Sequence, residues 1–87
     1  MSVKAAQVTV DNTADLLASS DVGGQQVIIR NAGAAAVFIG PSTVSTANGY
    51  ELSANGGTVD IVLGQNEEIY GICATSSRVD VLRIAAD

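Results

Sequence analysis

The spacing of turn residues constrains this chain most. Clusters of Gly, Asn, Asp, Ser and Pro recur about every eight to twelve residues, and the segments between them are short and rich in Val, Ile and Leu. That spacing is expected of an antiparallel sandwich or a small barrel. Inside the segments, apolar residues alternate with the period of a strand, as in Val8 and Val10, Val27 and Ile29, or Val59, Ile61 and Leu63. Strands are predicted at QVTV, QQVIIRN, AVFI, YEL, GTVDIVL, EIYGICA and RVDVLRIA, and ADLLAS reads as a short strand in preference to a helical turn. The expected fold class is all-β: a single small β-sandwich or jelly-roll-like barrel of about seven or eight short antiparallel strands. Residues 7–87 are read as that one domain. Residues 1–6, which include Ser2, Val3 and Lys4, lack clear periodicity and are read as an N-terminal arm.

Two Asn-Gly pairs, Asn48-Gly49 and Asn55-Gly56, flank the short segment Tyr50, Glu51 and Leu52. Asn-Gly is the strongest short-range signal for a tight hairpin, because a type I′ turn needs positive φ at both central residues. The pattern predicts one very short strand between two reversals. Residues 42–47, polar and β-branched, read as a connection lying extended over the surface.

The chain is 47% hydrophobic but only 3% aromatic, so its core must be built from small and branched side chains. A domain of this length buries roughly 60–65% of its unfolded surface. Disulfides, a metal or oligomerisation usually supplement so small a core. Cys73 is the only cysteine and there is no histidine. That excludes an intrachain disulfide and removes the commonest transition-metal ligand and general base. Oligomerisation is the supplement left.

The net charge is −5, and the four basic residues, Lys4, Arg30, Arg78 and Arg83, are scattered. Neither nucleic acid nor an anionic membrane surface is an expected partner, since both need clustered Lys and Arg. No stretch approaches the roughly 20 apolar residues of a membrane-spanning helix, and the N-terminus has no apolar core of signal-peptide length. Synthesis in a reducing cytoplasm is expected.

The alternation carries an anomaly. A strand with one face in water should read apolar, then polar. Here Ile28, Phe38, Val62 and Ile72 lie opposite the predicted core face, and near the end Leu82 and Ile84 take the face opposite Val79 and Val81. Strands covered on both sides, or a bulge that shifts the register, would account for this. So would a subunit interface, because a contiguous exposed apolar patch marks a contact surface. On the second reading, Ile28, Phe38, Val62 and Ile72 are the oligomer interface.

Catalysis has no supporting constellation. Asp60 with Glu51, or Glu67 with Glu68, could form a carboxylate dyad, but Glu67 and Glu68 follow a turn and read as solvated. Cys73 as a nucleophile would lack a histidine base, and its apolar strand makes it a small buried hydrophobe. Gly23-Gly24 and Gly56-Gly57 neither precede a helix nor carry a P-loop lysine. Asp and Asn near turns show no EF-hand spacing. The expectation is therefore a protein that is not an enzyme, with no catalytic, cofactor-binding or metal-ligating residues.

The strands Val8-Thr9-Val10, Arg30-Asn31, Val37-Phe38-Ile39-Gly40, Asn48-Gly49 with Leu52, Ile61 to Leu63, and Ile69-Tyr70-Gly71-Ile72 follow one another in an order that resembles small all-β virion proteins of tailed bacteriophages, of the head decoration (cement) type. The likeness spans nearly the whole chain and rests mainly on strands and turns. It implies a structural protein of the virion. Such a protein would sit on the capsid exterior as a homotrimer, with itself and the phage major capsid protein as partners. It implies no residue-level capsid site; Ser2, Val3 and Lys4 of the arm are the first candidates for that contact. The competing expectation is a receptor- or glycan-binding module of a tail or fibre. Tyr50, Tyr70 and Phe38 would be its only aromatic platforms.

Overall fold

The computed structural model describes residues 2–19 and 25–85. The loop predicted at Asp21 to Gly24 lies outside them. Eight strands form: β1 (Ser2–Val10), β2 (Asp15–Ser19), β3 (Gln25–Asn31), β4 (Val37–Gly40), β5 (Tyr50–Leu52), β6 (Thr58–Leu63), β7 (Glu68–Ile72) and β8 (Ser77–Ala85). They make two four-stranded antiparallel sheets, ordered β1-β8-β3-β6 (sheet A) and β2-β7-β4-β5 (sheet B). The all-β sandwich expected from the sequence is the fold observed.

The pairing is nested. β1 pairs with β8, β2 with β7, β3 with β6 and β4 with β5, so the chain is a long hairpin wound into two layers. Apart from β4 to β5, each strand passes to the other sheet. This is the jelly-roll arrangement, in which two Greek keys close one core.

Alternation fixes what faces inward. Val27 and Ile29 of β3, Val79 and Val81 of β8, and Val37 and Ile39 of β4 are buried, together with Val10, Leu17, Leu52, Leu63, Ile69 and Cys73. A bulge between Leu16 and Ala18 inserts Leu17 toward the core. It packs over Gly71, where a Cβ would lie 3.0 Å from Leu17 Cδ1, so Gly71 leaves room for the leucine. Opposite residues of the strands are free of that core, as the second apolar face requires.

Three expectations change. Residues 2–6 are not a free arm. They continue β1, with Ser2, Val3 and Lys4 paired to Ala85, Ile84 and Arg83 of β8. Ala5 and Ala6 give no alternation in the sequence, and the partner strand supplies the order instead.

Neither Asn-Gly pair closes a two-residue hairpin. β5 pairs with β4, and the turn after it carries the chain across to sheet A. Asn55 and Gly56 do take positive φ, 62° and 121°, but Asn48 and Gly49 do not. Gly49 is needed for another reason: a Cβ there would lie 2.6 Å from Phe38 Cβ and 2.8 Å from Val44 Cγ2.

The connection over 41–49 is not extended. It folds back in two turns, with Val44 N–H donating to Pro41 O at 2.8 Å and Gly49 N–H to Ser45 O at 2.9 Å. Val44 is thereby buried outside the sheet, against Gly40 and Gly49.

At one end of the sandwich the two layers meet at Asn31, which is fully buried. Its Nδ2 donates to Ala35 O (2.8 Å) and to Leu52 O of β5 (3.1 Å). Its Oδ1 accepts from Gly33 N–H (3.1 Å) and from the Ser77 hydroxyl of β8 (2.7 Å). Its backbone exchanges hydrogen bonds with Gly57 O (2.8 Å) and Gly56 N–H (2.7 Å). Every donor and acceptor of this buried amide is used, the condition under which such a network specifies structure.

Asn31→Ala orphans two carbonyls, an N–H and a hydroxyl. Thermal unfolding should show a loss of about 3 kcal/mol, which for a domain of this size lowers Tm by roughly 12 °C or more. Gly49→Ala forces Phe38 or Val44 aside and should cost about 1–3 kcal/mol in the same measurement.

Candidate functional site

The residues available for chemistry do not converge. Glu51 lies on β5 of sheet B and Asp60 on β6 of sheet A, so they belong to different layers. The Asp60 carboxylate accepts from Gln26 Nε2 at 3.1 and 3.0 Å. Glu67 turns back to accept from Gly64 N–H, closing the β6–β7 turn, and both Glu67 and Glu68 are exposed. Cys73 is 1% exposed within the core, with its Sγ 3.9 Å from Thr75 Oγ1. Among the described residues, no three His, Cys, Asp or Glu side chains gather where a metal ion could sit.

What the structure does display is surface. The four residues predicted as one interface fall on two faces. Ile28 and Val62 stand on the outer face of sheet A, whereas Phe38 and Ile72 stand side by side on the outer face of sheet B. The sandwich lies between the pairs, so no single flat contact covers all four. Alternation within a strand could not reveal this, because it gives the face but not the sheet.

The outer face of sheet A is ordered in rows by its register. Val3, Ile84, Gln26 and Val62 form one row; Ala5, Leu82, Ile28 and Asp60 the next; Gln7, Asp80, Arg30 and Thr58 the third. The face therefore runs from an apolar end to a polar end. Val3 and Val62 are 61% and 67% exposed, while Ile28, Leu82 and Ile84 are half-buried.

At the polar end Asp80 sits between two arginines, with its Oδ2 3.8 Å from Arg30 Nη1 and its Oδ1 3.3 Å from Arg78 Nε. These charges are spent on one another and on the surface, where such pairs contribute little to stability. Between the two ends lies an open groove of about 660 Å³, lined by Ala5, Gln7, Ile28, Arg30, Asp80 and Leu82 among others.

The outer face of sheet B is smaller. Leu16 (45% exposed) neighbours Tyr70, and Phe38 neighbours Ile72. Gly49 of the folded 41–49 connection lies against Phe38, which is half-buried. Tyr50 pairs with Ile39 on the neighbouring strand and remains exposed. The three aromatic residues thus do not form one platform.

No protein-family model, curated protein or solved structure matches the chain.

The thiol gives a direct check of this placement. Cys73 in the folded protein should react with a thiol-specific chromogenic disulfide only on the timescale of unfolding, and stoichiometrically once denaturant is added. Fast labelling under native conditions would contradict its burial.

Proposed function

We propose that this protein decorates the head of a tailed bacteriophage, binding the outer surface of the capsid as a homo-oligomer, a trimer on the family likeness, and stabilising the lattice. The observation that carries this reading is the pair of apolar outer faces. A decoration protein needs two contact surfaces, one for its own copies and one for the major capsid protein. Sheet A offers Ile28, Leu82, Ile84, Val3 and Val62, and sheet B offers Leu16, Tyr70, Phe38 and Ile72. Patches of this kind on a small domain mark interaction sites. The jelly roll is also an architecture shared by viral capsid proteins and lectins, which is support by analogy only.

Mechanically the role needs no chemistry. Each subunit binds weakly, and an oligomer multiplies occupancy through effective concentration. The bound shell gains stability because the ligand binds the intact lattice and not the broken one.

Two measurements test the proposal together. The purified protein should sediment as a small oligomer, and heads assembled without it should rupture at a higher temperature once it is added. Val62→Asp, at an exposed position of the edge strand β6, should shift sedimentation toward the monomer while leaving the circular dichroism spectrum unchanged. A protein that binds no head, and instead gives reproducible hits on a glycan array, would belong to a tail or fibre.

A further inference from the structure

The four strand edges of the sandwich are not alike. Unpaired edges template pairing with another strand, and natural sheets blunt them by shortness, bulges or charge. In sheet B, β2 has five residues and a bulge, and β5 has only three. In sheet A, β1 has nine residues and β6 has six, and both ladders run without a register break. Among the described residues no strand pairs with the outer edge of either.

We propose that copies of this chain join head to tail along sheet A, the edge of β1 in one copy pairing antiparallel with the edge of β6 in the next, with Val3 opposite Val62 of the next copy. This rests on the self-association in the reading above and names where it occurs.

Three observations carry it. The first is direction. β1 is antiparallel to β8, β8 to β3 and β3 to β6, so the two edges of the sheet run opposite ways. Copies set side by side in the same orientation therefore bring β6 antiparallel to β1, and a contact between two different patches closes into a ring if the rotation allows it.

The second is the apolar match. Val3 and Val62 are two of the four exposed large hydrophobic residues, and they stand at the two ends of one row on the same face. The junction makes them direct cross-strand neighbours, where such pairs stabilise a sheet. The same register sets Ala5 against Asp60, Ala6 against Val59 and Gln7 against Thr58. All six residues of β6 find a partner in β1. Two β1 edges paired with each other would leave Val62 in water.

The third is charge. Lys4 is the one charged residue of β1 and Asp60 the one charged residue of β6. The two edges therefore carry opposite charge, although on opposite faces of the sheet, Lys4 in the row of Val27 and Asp60 in the row of Ile28, whereas two copies of one edge would carry the same sign.

Disulfide trapping tests the register. In a Cys73→Ala background, Val3→Cys and Val62→Cys chains are mixed and oxidised. Within one chain these positions are separated by two strands, roughly 14 Å, beyond the reach of a disulfide. The mixture should give covalent dimers, each variant alone should not, and the doubly substituted chain should give linked multimers. Cross-linking by Val3→Cys alone would mean that β1 pairs with itself and would overturn the proposal. So would a mixture that fails to cross-link while the protein sediments as an oligomer, which leaves self-association standing through another surface. A protein that is monomeric throughout would remove both.

Discussion

The carboxamide of Asn31 is where two sheets become one domain. The hydrophobic effect that drives burial is non-directional, so apolar contacts alone do not name the atoms that must meet. A fully buried amide does name them. Its four side-chain hydrogen bonds reach β8 in sheet A, β5 in sheet B and both flanks of the turn that follows β3. Its backbone meanwhile holds the crossing from β5 to β6. Displacing any one of these elements would strand a polar group in the interior, so the relative position of the layers is fixed by directional bonds. Gly33 belongs to the same device. A side chain there would occupy the space of the Ser77 hydroxyl.

Local pattern and long-range pairing were not equally legible in the sequence. Alternation identified the central strands and placed Ile28, Phe38, Val62, Ile72, Leu82 and Ile84 away from the core, because side-chain direction is a local property with period two, but it missed the first half of β1, where Ala5 and Ala6 carry no pattern. The sheet each strand joins is a property of pairing, and pairing in this fold links residues as far apart as Ser2 and Ala85. That is why one inferred interface became two faces. The Asn-Gly signals located the short strand β5, Tyr50–Leu52, but not the strands it would join, for a related reason. A tight-turn residue reports that the chain reverses, not that the strands on either side become partners. Asn31 gave no signal beyond that of an ordinary turn residue at the end of a strand, although it is the most connected polar side chain described.

The functional reading shares this structure of strong and weak links. Apolar surface on both outer sides follows from the register and asks for partners. The tailed-phage role is the proposed step, drawn from the resemblance of the sequence segments to decoration proteins. The charged groups of sheet A are arranged to keep the apolar end isolated. Arg30 and Arg78 pair with Asp80 at the far end, although the buried Asp80 Oδ1 has no hydrogen-bond partner, and Gln26 occupies the Asp60 carboxylate. The apolar end of that side, with the backbone at its rims, is what a partner would cover.

The nested hairpin also sets how the domain responds to force. Ser2 and Ala85 are partners at the open end of the β1–β8 ladder, so the two ends of the described chain leave from one corner. Hydrogen bonds in an antiparallel ladder lie perpendicular to the strands. Tension applied between those two ends therefore loads the bonds one rung at a time, like a zip, and never shears the whole ladder at once. A load entering through the faces of the sheets is spread over many side chains instead. The molecule is built to resist being pressed or spread across its faces and to yield when drawn apart by its tips.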